Sequence, residues 1–223
     1  MRMRRKKHLE TRLAAYEAMI TPLRVADRRF DGESAEQFLD PVAEFGNDHP
    51  VEMEIGCGKG GFIVQMAAAH PEINFWAVEK IGNVLVSACE AVEQAKLTNV
   101  RFLWGDAEYL PRFIPPHRIR RLYLNFSTPY PKAGQAIHRL THRHFLAAYR
   151  EWLAPGASII QKTDGRRFFQ FSLEEFSQSG YRLRQVSLDL HADQIPDNIV
   201  TEYEQRFLDQ GLPIYRLEAD LPE

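Results

Sequence analysis

One short run carries the densest chemical signal of the chain: Glu54, Ile55, Gly56, Cys57, Gly58, Lys59, Gly60 and Gly61. Glycines let the backbone turn tightly and approach a ligand with no Cβ in the way. N–H groups exposed at a helix start favour a polar or anionic group. Taken alone, the run also matches GxGxxG, the dinucleotide fingerprint, or a purely structural turn. Three acids bear on the choice, and two of them, Glu54 and Asp106, separate the readings. Glu79 ends the next strand-like run and can hold the ribose hydroxyls of either nucleotide. Glu54 lies two residues before the first glycine, near where the cationic methionine end of S-adenosylmethionine would sit. Asp106 follows the third strand in Trp104-Gly105-Asp106-Ala107-Glu108, where a carboxylate can accept from an adenine amino group. A helix N-cap is the other reading of Asp106. Three acids at successive strand ends favour S-adenosylmethionine over NAD. Gly56, Gly58 and Asn125 complete the candidate cofactor set.

A second group of residues lies at later strand ends. The fourth strand runs into Asn125-Phe126-Ser127-Thr128-Pro129-Tyr130-Pro131-Lys132, and the fifth ends at Lys162-Thr163-Asp164-Gly165. Open α/β sheets bind ligands outside the carboxyl ends of their strands, so both segments point to one working edge. Thr201-Glu202-Tyr203-Glu204 reads as a capping motif, with Thr201 as N-cap and Glu204 at the third helical position. Glu202 and Glu204 could also accept from a base edge. His138, His142 and His144 have the form HxxxHxH, but on a helix the first two share a face, the third points away, and no acidic ligand adjoins them. We therefore expect no metal. Cys57 sits inside the glycine loop, where a small buried residue fits, and is not expected to act covalently.

The elements that must position these groups alternate strand and helix. Strands are expected at 51–55, 74–79, 100–105, 119–126, 157–163, 181–190 and 213–219. Helices are expected at 62–69, about 83–96, 138–153 and 166–178, with a last one following Thr201–Glu204. The alternation implies a Rossmann-like α/β fold, a mostly parallel seven-stranded sheet with helices on both faces. Residues 1–50 lack strand character. They hold helical stretches around 8–20 and 34–45, interrupted by Pro22, Gly32 and Pro41. They read as an extension to a domain spanning 51–223.

A hydrophobic fraction of 44% with 26% charged residues is that of a soluble globular protein. No apolar run approaches the ~18 residues of a membrane span. The start, MRMRRKKHLETR, lacks the apolar centre of an export signal. Two cysteines, Cys57 and Cys89, support neither a disulfide framework nor a CxxC site. The expected compartment is the cytoplasm. The formal net charge of −2 means that any nucleic-acid contact must be local. Candidate patches are Arg2, Arg4, Arg5, Lys6 and Lys7, then Arg118, Arg120 and Arg121, then Arg166 and Arg167; the other reading is a solvated surface.

Together these motifs resemble the tRNA (guanine-N7)-methyltransferase family over nearly the whole chain. The similar segments are MRMRRK, EIGCGKG, the acid at Glu79, the aspartate of GDA, the LNFS–P–PK loop, KTD, SLDLH, TEYE and QGLPIYRLEA. The resemblance implies a class I methyltransferase fold and S-adenosylmethionine contacts at Glu54, Glu79 and Asp106. It also implies tRNA or guanine contacts at Lys132, Asp164, Thr201, Glu202, Tyr203 and Glu204, with the target guanine in the variable loop. The chain departs from the family pattern in one loop. The family usually reads D-P-W-P-K there, with an aspartate important for catalysis, and continues with many Lys and Arg. Here Thr128 and Tyr130 stand at the aspartate and tryptophan positions, and the loop continues Ala133-Gly134-Gln135-Ala136-Ile137-His138-Arg139. Fewer cations weaken phosphate binding.

Guanine N7 is a lone-pair nucleophile without a proton, so no general base is required. Alignment of the reacting atoms can supply ~7–11 kcal/mol, and a carboxylate stabilises the cationic product base. Asp164 is the candidate for that charge, with Thr128 at the family's catalytic position. Lys132 could donate to phosphate or to O6. The rival readings are a tRNA- or cofactor-binding homologue with impaired catalysis, and a methyltransferase for another RNA or a small molecule. A nicotinamide dehydrogenase is disfavoured by Asp106 and by the lack of a second catalytic domain. The expected partner is tRNA, with no membrane and no metal, and the chain a monomer or homodimer.

Overall fold

The structure, a computed structural model, describes residues 7–23, 38–196 and 198–221. Arg2, Arg4, Arg5 and Lys6 of the basic tip, Gly32, and residues 34–37 of the second helical stretch lie outside the described residues. The chain divides into two compact units, with the boundary at Pro115/Pro116.

The first unit contains α1 (Leu9–Ala14), β1 (Ile20–Pro22), α2 (Pro41–Phe45), β2 (Val51–Ile55), α3 (Gly61–Ala69), β3 (Asn74–Glu79), α4 (Gly82–Gln94) and β4 (Val100–Trp104), followed by a 3-10 helix at Ala107–Arg112. Its strands run parallel in the order β1-β4-β3-β2. Every residue of β2 and β3 is buried. That fits parallel strands covered on both faces, which read as continuous rather than alternating runs. The register pairs Glu54 with Ala77, Ile55 with Val78 and Glu79 with Trp104. The three strands therefore end nearly in step, and their loops leave the sheet at one level.

The extension differs from expectation. Residues 20–22 form a strand where none was read, pairing Ile20 with Phe102 and Pro22 with Trp104. Three residues are too short to show a period, and proline is tolerated at a sheet edge. The stretch read as a helix over 8–20 is helical only over Leu9–Ala14, with a 3-10 turn at Glu17–Met19. It packs on α4, where Arg12 pairs with Glu90 and the Tyr16 hydroxyl donates to Glu93 at 2.7 Å. Among the described residues of the second stretch, Pro41–Phe45 form an α-helix. Asp40 caps it by accepting from the Val42 N–H at 3.0 Å, with proline at the first helical position and Gly46 at φ +73° after the last.

The second unit contains β5 (Ile119–Asn125), a 3-10 helix at Ala133–His138, α5 (Arg143–Trp152), β6 (Leu153–Thr163), α6 (Arg166–Gln178), β7 (Arg182–Ser187), α7 (Glu202–Leu208) and β8 (Tyr215–Asp220). The strand order is β5-β6-β8-β7, with β5 and β6 parallel and β8 antiparallel to both neighbours. Helix α5 buries Phe145, Leu146, Tyr149 and Trp152, one apolar stripe at helical spacing. It begins five residues later than the expected 138–153 helix. The His142 ring caps it, Nδ1 accepting from the His144 N–H at 3.1 Å, while His138 closes the separate 3-10 helix. The histidines thus do not share one helix. Among the described residues no group of three or more His, Cys, Asp or Glu is placed to hold a metal. The strand expected over 181–190 stops at Ser187, where the pairing slips around Gln185 at φ +45°. Among the described residues the two units hold eight strands rather than seven, the addition being β1. Among the described residues no helix is long and apolar enough to cross a membrane.

Candidate active site

In the first unit the glycine loop leaves β2 with Gly56, Gly58 and Gly60 at φ +88°, +58° and +85°. These are left-handed conformations that other residues rarely adopt. A Cβ on Gly60 would come within 3.2 Å of Ala88 in α4, so this glycine serves the packing of the loop on that helix. At Gly56 and Gly58 no atom lies within 4 Å of such a Cβ. The space above them is open, as a loop that cradles a ligand requires.

Glu79 ties this loop to the next helix. One carboxylate oxygen accepts from the Gly58 N–H at 3.1 Å and the other from the Ile81 N–H at 2.8 Å. Burial pushes its carboxyl above the usual carboxylate value, and the Ile81, Gly58 and Lys80 N–H groups pull it part of the way back. Each oxygen keeps a lone pair for a further donor. Glu54 is buried near the end of β2. Burial pushes the Cys57 thiol well up, with the Glu54 and Glu79 charges adding to it. A thiol so raised stays protonated and is a poor nucleophile. Asp106 is the cap of the 3-10 helix, accepting from the Glu108 N–H at 3.2 Å. Its other oxygen faces Lys80 Nζ at 3.2 Å, and 38% of the side chain remains exposed.

In the second unit Asn125 is buried at the end of β5. The chain then turns through Phe126 at φ +50°, whose N–H donates to the Lys162 carbonyl at 2.8 Å. Thr128 and Lys132 are exposed on the following loop, and among the described residues no hydrogen bond joins either side chain to Asp164 or Glu202. Asp164 is half-buried just past β6, and no hydrogen bond or ion pair engages its carboxylate among the described residues. Its charge reaches Tyr203: burial raises the Tyr203 phenol and Asp164 raises it further, against Arg206. The Tyr203 ring lies 4.8 Å from that of Phe126 and 5.2 Å from that of Phe207.

The TEYE segment divides into two parts. Thr201 caps α7, its hydroxyl accepting from the Glu204 N–H at 3.1 Å. That is one half of a capping box; the Glu204 side chain does not return to the cap. It turns inward and is fully buried, accepting from Lys162 Nζ at 2.7 Å and Asn198 Nδ2 at 2.7 Å, with His191 Nε2 at 3.2 Å. Lys162 also donates to Asn198 Oδ1 at 3.1 Å and to the Ile199 carbonyl at 2.8 Å. Glu202 is 70% exposed and pairs with Arg206 along the helix. Sequence reasoning assigned no role to Lys162, His191 or Asn198. The signal for Lys162 was a lysine inside an apolar strand, Ile159-Ile160-Gln161-Lys162, where a buried cation needs a partner.

Solved methyltransferases share this architecture. The 16S rRNA methyltransferase KamB aligns with a TM-score of 0.60 at 19% identity, over 88% of this chain and 100% of that one. A SAM-dependent methyltransferase from Aquifex aeolicus aligns with a TM-score of 0.54 at 14% identity, over 82% and 90%. The fold is that of the Rossmann-like class I methyltransferases. A family model described as "Putative methyltransferase" matches residues 48–217. The tRNA (guanine-N7)-methyltransferase of Geobacillus thermodenitrificans is 43% identical over 100% of this chain and 98% of its own length. That of Bacillus subtilis is 45% identical over 79% and 83%. The chain belongs to the tRNA (guanine-N7)-methyltransferase family.

Proposed function

We propose that this protein transfers a methyl group from S-adenosylmethionine to N7 of a guanine in the variable loop of tRNA. The observation that carries the reading is the 43% identity to a tRNA (guanine-N7)-methyltransferase along essentially the full length of both chains.

The first unit suits the cofactor. The open space over Gly56 and Gly58 admits its backbone-facing side, and Glu79 offers two acceptors to a ribose diol. Glu54 and Asp106 complete its set, Glu54 for the cationic methionine end and Asp106 for the adenine amino group; Asn125, of the second unit, is the remaining cofactor candidate. S-adenosylmethionine, when bound, supplies an electrophilic methyl group on a sulfonium.

Residues of the second unit serve the base. The free carboxylate of Asp164 stabilises the cationic guanine as it forms. Glu202 accepts from the guanine edge, and the exposed Tyr203 ring offers an aromatic face to the base. Lys132 donates to phosphate or to O6. Thr201 sets the start of α7 as its cap. Glu204 serves the substrate side from within, holding α7 to β6 through Lys162. Thr128 occupies the family's catalytic position as a neutral hydroxyl. The basic residues near the N-terminus meet tRNA phosphates, with 1–50 acting as an extension to the methyltransferase domain at 51–223. A chain with a tRNA substrate works in the cytoplasm.

The test is mass spectrometry of nucleosides from unmodified tRNA incubated with the protein and S-adenosylmethionine. We expect 7-methylguanosine. Its absence, with the protein folded and the cofactor bound, overturns the reading.

A further inference from the structure

Arg139 lies between the 3-10 helix Ala133–His138 and α5, and its guanidinium reaches back along the chain. Its Nε donates to the Pro129 carbonyl at 3.0 Å and to the Tyr130 carbonyl at 3.3 Å, and one Nη donates to the same Tyr130 carbonyl at 2.9 Å. The group also lies over the Phe171 ring of α6, its Cζ 4.3 Å from the centroid. One side chain therefore ties two consecutive backbone carbonyls of an exposed loop to a helix of the same unit.

Those carbonyls belong to a part of the loop that would not hold its shape alone. Tyr130 has φ +41°, in the left-handed region that a bulky side chain disfavours. Such a residue persists there only where its surroundings over-determine it. The His138 ring, 5.7 Å from that of Tyr130, is the other neighbour holding it. Thr128 and Lys132 sit two residues to either side of Tyr130 and have no tethers of their own to Asp164 or Glu202.

We propose that Arg139 is a positioning residue: it clamps the Pro129 and Tyr130 carbonyls and thereby fixes the stretch from Thr128 to Lys132 for the incoming guanine. This rests on the reading that the loop meets the tRNA. The geometry separates a clamp from the ordinary role of an arginine in a nucleic-acid-binding protein. A phosphate contact needs the fork turned outward, whereas here Nε and one Nη are committed to carbonyls and the flat face to Phe171. The planar fork is what makes the two-carbonyl grip possible. Lysine, a point charge on a flexible stem, can satisfy one carbonyl but not hold the plane.

The experiment compares the wild type with Arg139→Ala and Arg139→Lys. It reads the single-turnover methylation rate at saturating tRNA, the tRNA Kd with its salt dependence, and amide hydrogen exchange over residues 126–132. Misplacement of a reacting group by about 1 Å costs on the order of 10²-fold, so we expect Arg139→Ala to lose about 10–100-fold in the saturated rate. The tRNA Kd should stay within about twofold, and exchange in the loop should quicken. Arg139→Lys should recover part of the rate. A weaker Kd with a salt slope reduced by about one and an unchanged saturated rate would mark a phosphate contact and overturn the proposal. So would unchanged exchange over 126–132. The exchange measurement is independent of activity, so a wild type that makes no 7-methylguanosine defeats the proposed function while the clamp is still judged.

Discussion

Lys162 and Glu204 form an ion pair of 2.7 Å with side-chain exposures of only 4% and 0%, joining the end of β6 to the first turn of α7. Two charges this deep are costly to desolvate, and the pair holds because Asn198 and the Ile199 carbonyl take up further hydrogen-bonding capacity around it. Removing one partner strands the other. Lys162→Met should destabilise the protein by about 3–5 kcal/mol, read as a shift in urea midpoint with unchanged slope. The double change Lys162→Met with Glu204→Leu should recover most of that stability but not methyl transfer, since the tether orienting α7 is then apolar and unspecific. A double variant with wild-type activity would show that the pair does not position the site.

The nearness of Asp164 to Tyr203 gives a prediction that needs no substrate. An anion beside a phenol disfavours the phenolate and raises its pKa, as burial does. Asp164→Asn should therefore lower the Tyr203 pKa toward, but not to, its ordinary value, because burial remains. Ultraviolet titration of the wild type and variant, with Tyr203→Phe to identify the signal, measures the shift. The same Asp164→Asn change, like Glu202→Gln, should depress methyl transfer and leave cofactor affinity nearly unaltered. Parallel loss of cofactor binding would reassign both residues.

With Glu79 as the proposed ribose acceptor, cofactor binding should depend on pH. Its carboxyl is raised by burial, so on acidification it takes up a proton before an ordinary glutamate does. The protonated form is a poorer acceptor for a ribose diol and for the Gly58 and Ile81 N–H groups. Affinity for S-adenosylmethionine should therefore be full above that raised value and fall as pH drops through it. Calorimetry across the acid range should show the decline in the wild type, and a lower, flatter affinity in Glu79→Gln.

Thr128 offers a developing cation less stabilisation than a carboxylate would. The residue is exposed, so a charge introduced there need not be buried. Thr128→Asp should raise the single-turnover rate on unmodified tRNA. No gain, in a variant that binds tRNA and cofactor normally, would mean that Asp164 already supplies the needed field.

The first unit was legible because its signal is local. Glycines followed by a helix, and an acid at each strand end, are read one segment at a time, and the strands at 51–55 and 74–79 have the bounds expected of them. The second unit depends on pairings between distant segments. TEYE announces a cap, and Thr201 is one, yet nothing within the motif says that Glu204 turns inward to a lysine of another strand. Helix α5 is shorter than its apolar period, which continues through Leu140, because the His142 ring caps the His144 N–H and the Glu175 carboxylate takes the Arg143 N–H, setting the start at Arg143. The cap reading of Asp106 holds: one oxygen caps and the other faces Lys80, with part of the carboxylate open to solvent.

Strand β1 has a consequence for the newborn chain. Ile20 through Pro22 leave the ribosome long before Val100 through Trp104, the segment they must lie against. The parallel pairing also closes a long loop, which is slow to form. Until it does, β4 presents an unpaired edge that another chain can occupy. The fit at the junction is close: a Cβ on Gly105 would fall 2.6 Å from the Leu23 Cβ, so a side chain there would pry the late-arriving segment away. A side chain in place of Gly105 would prolong the exposure of that edge, and Gly105→Val should show itself first as aggregation at high expression rather than as a lost catalytic step.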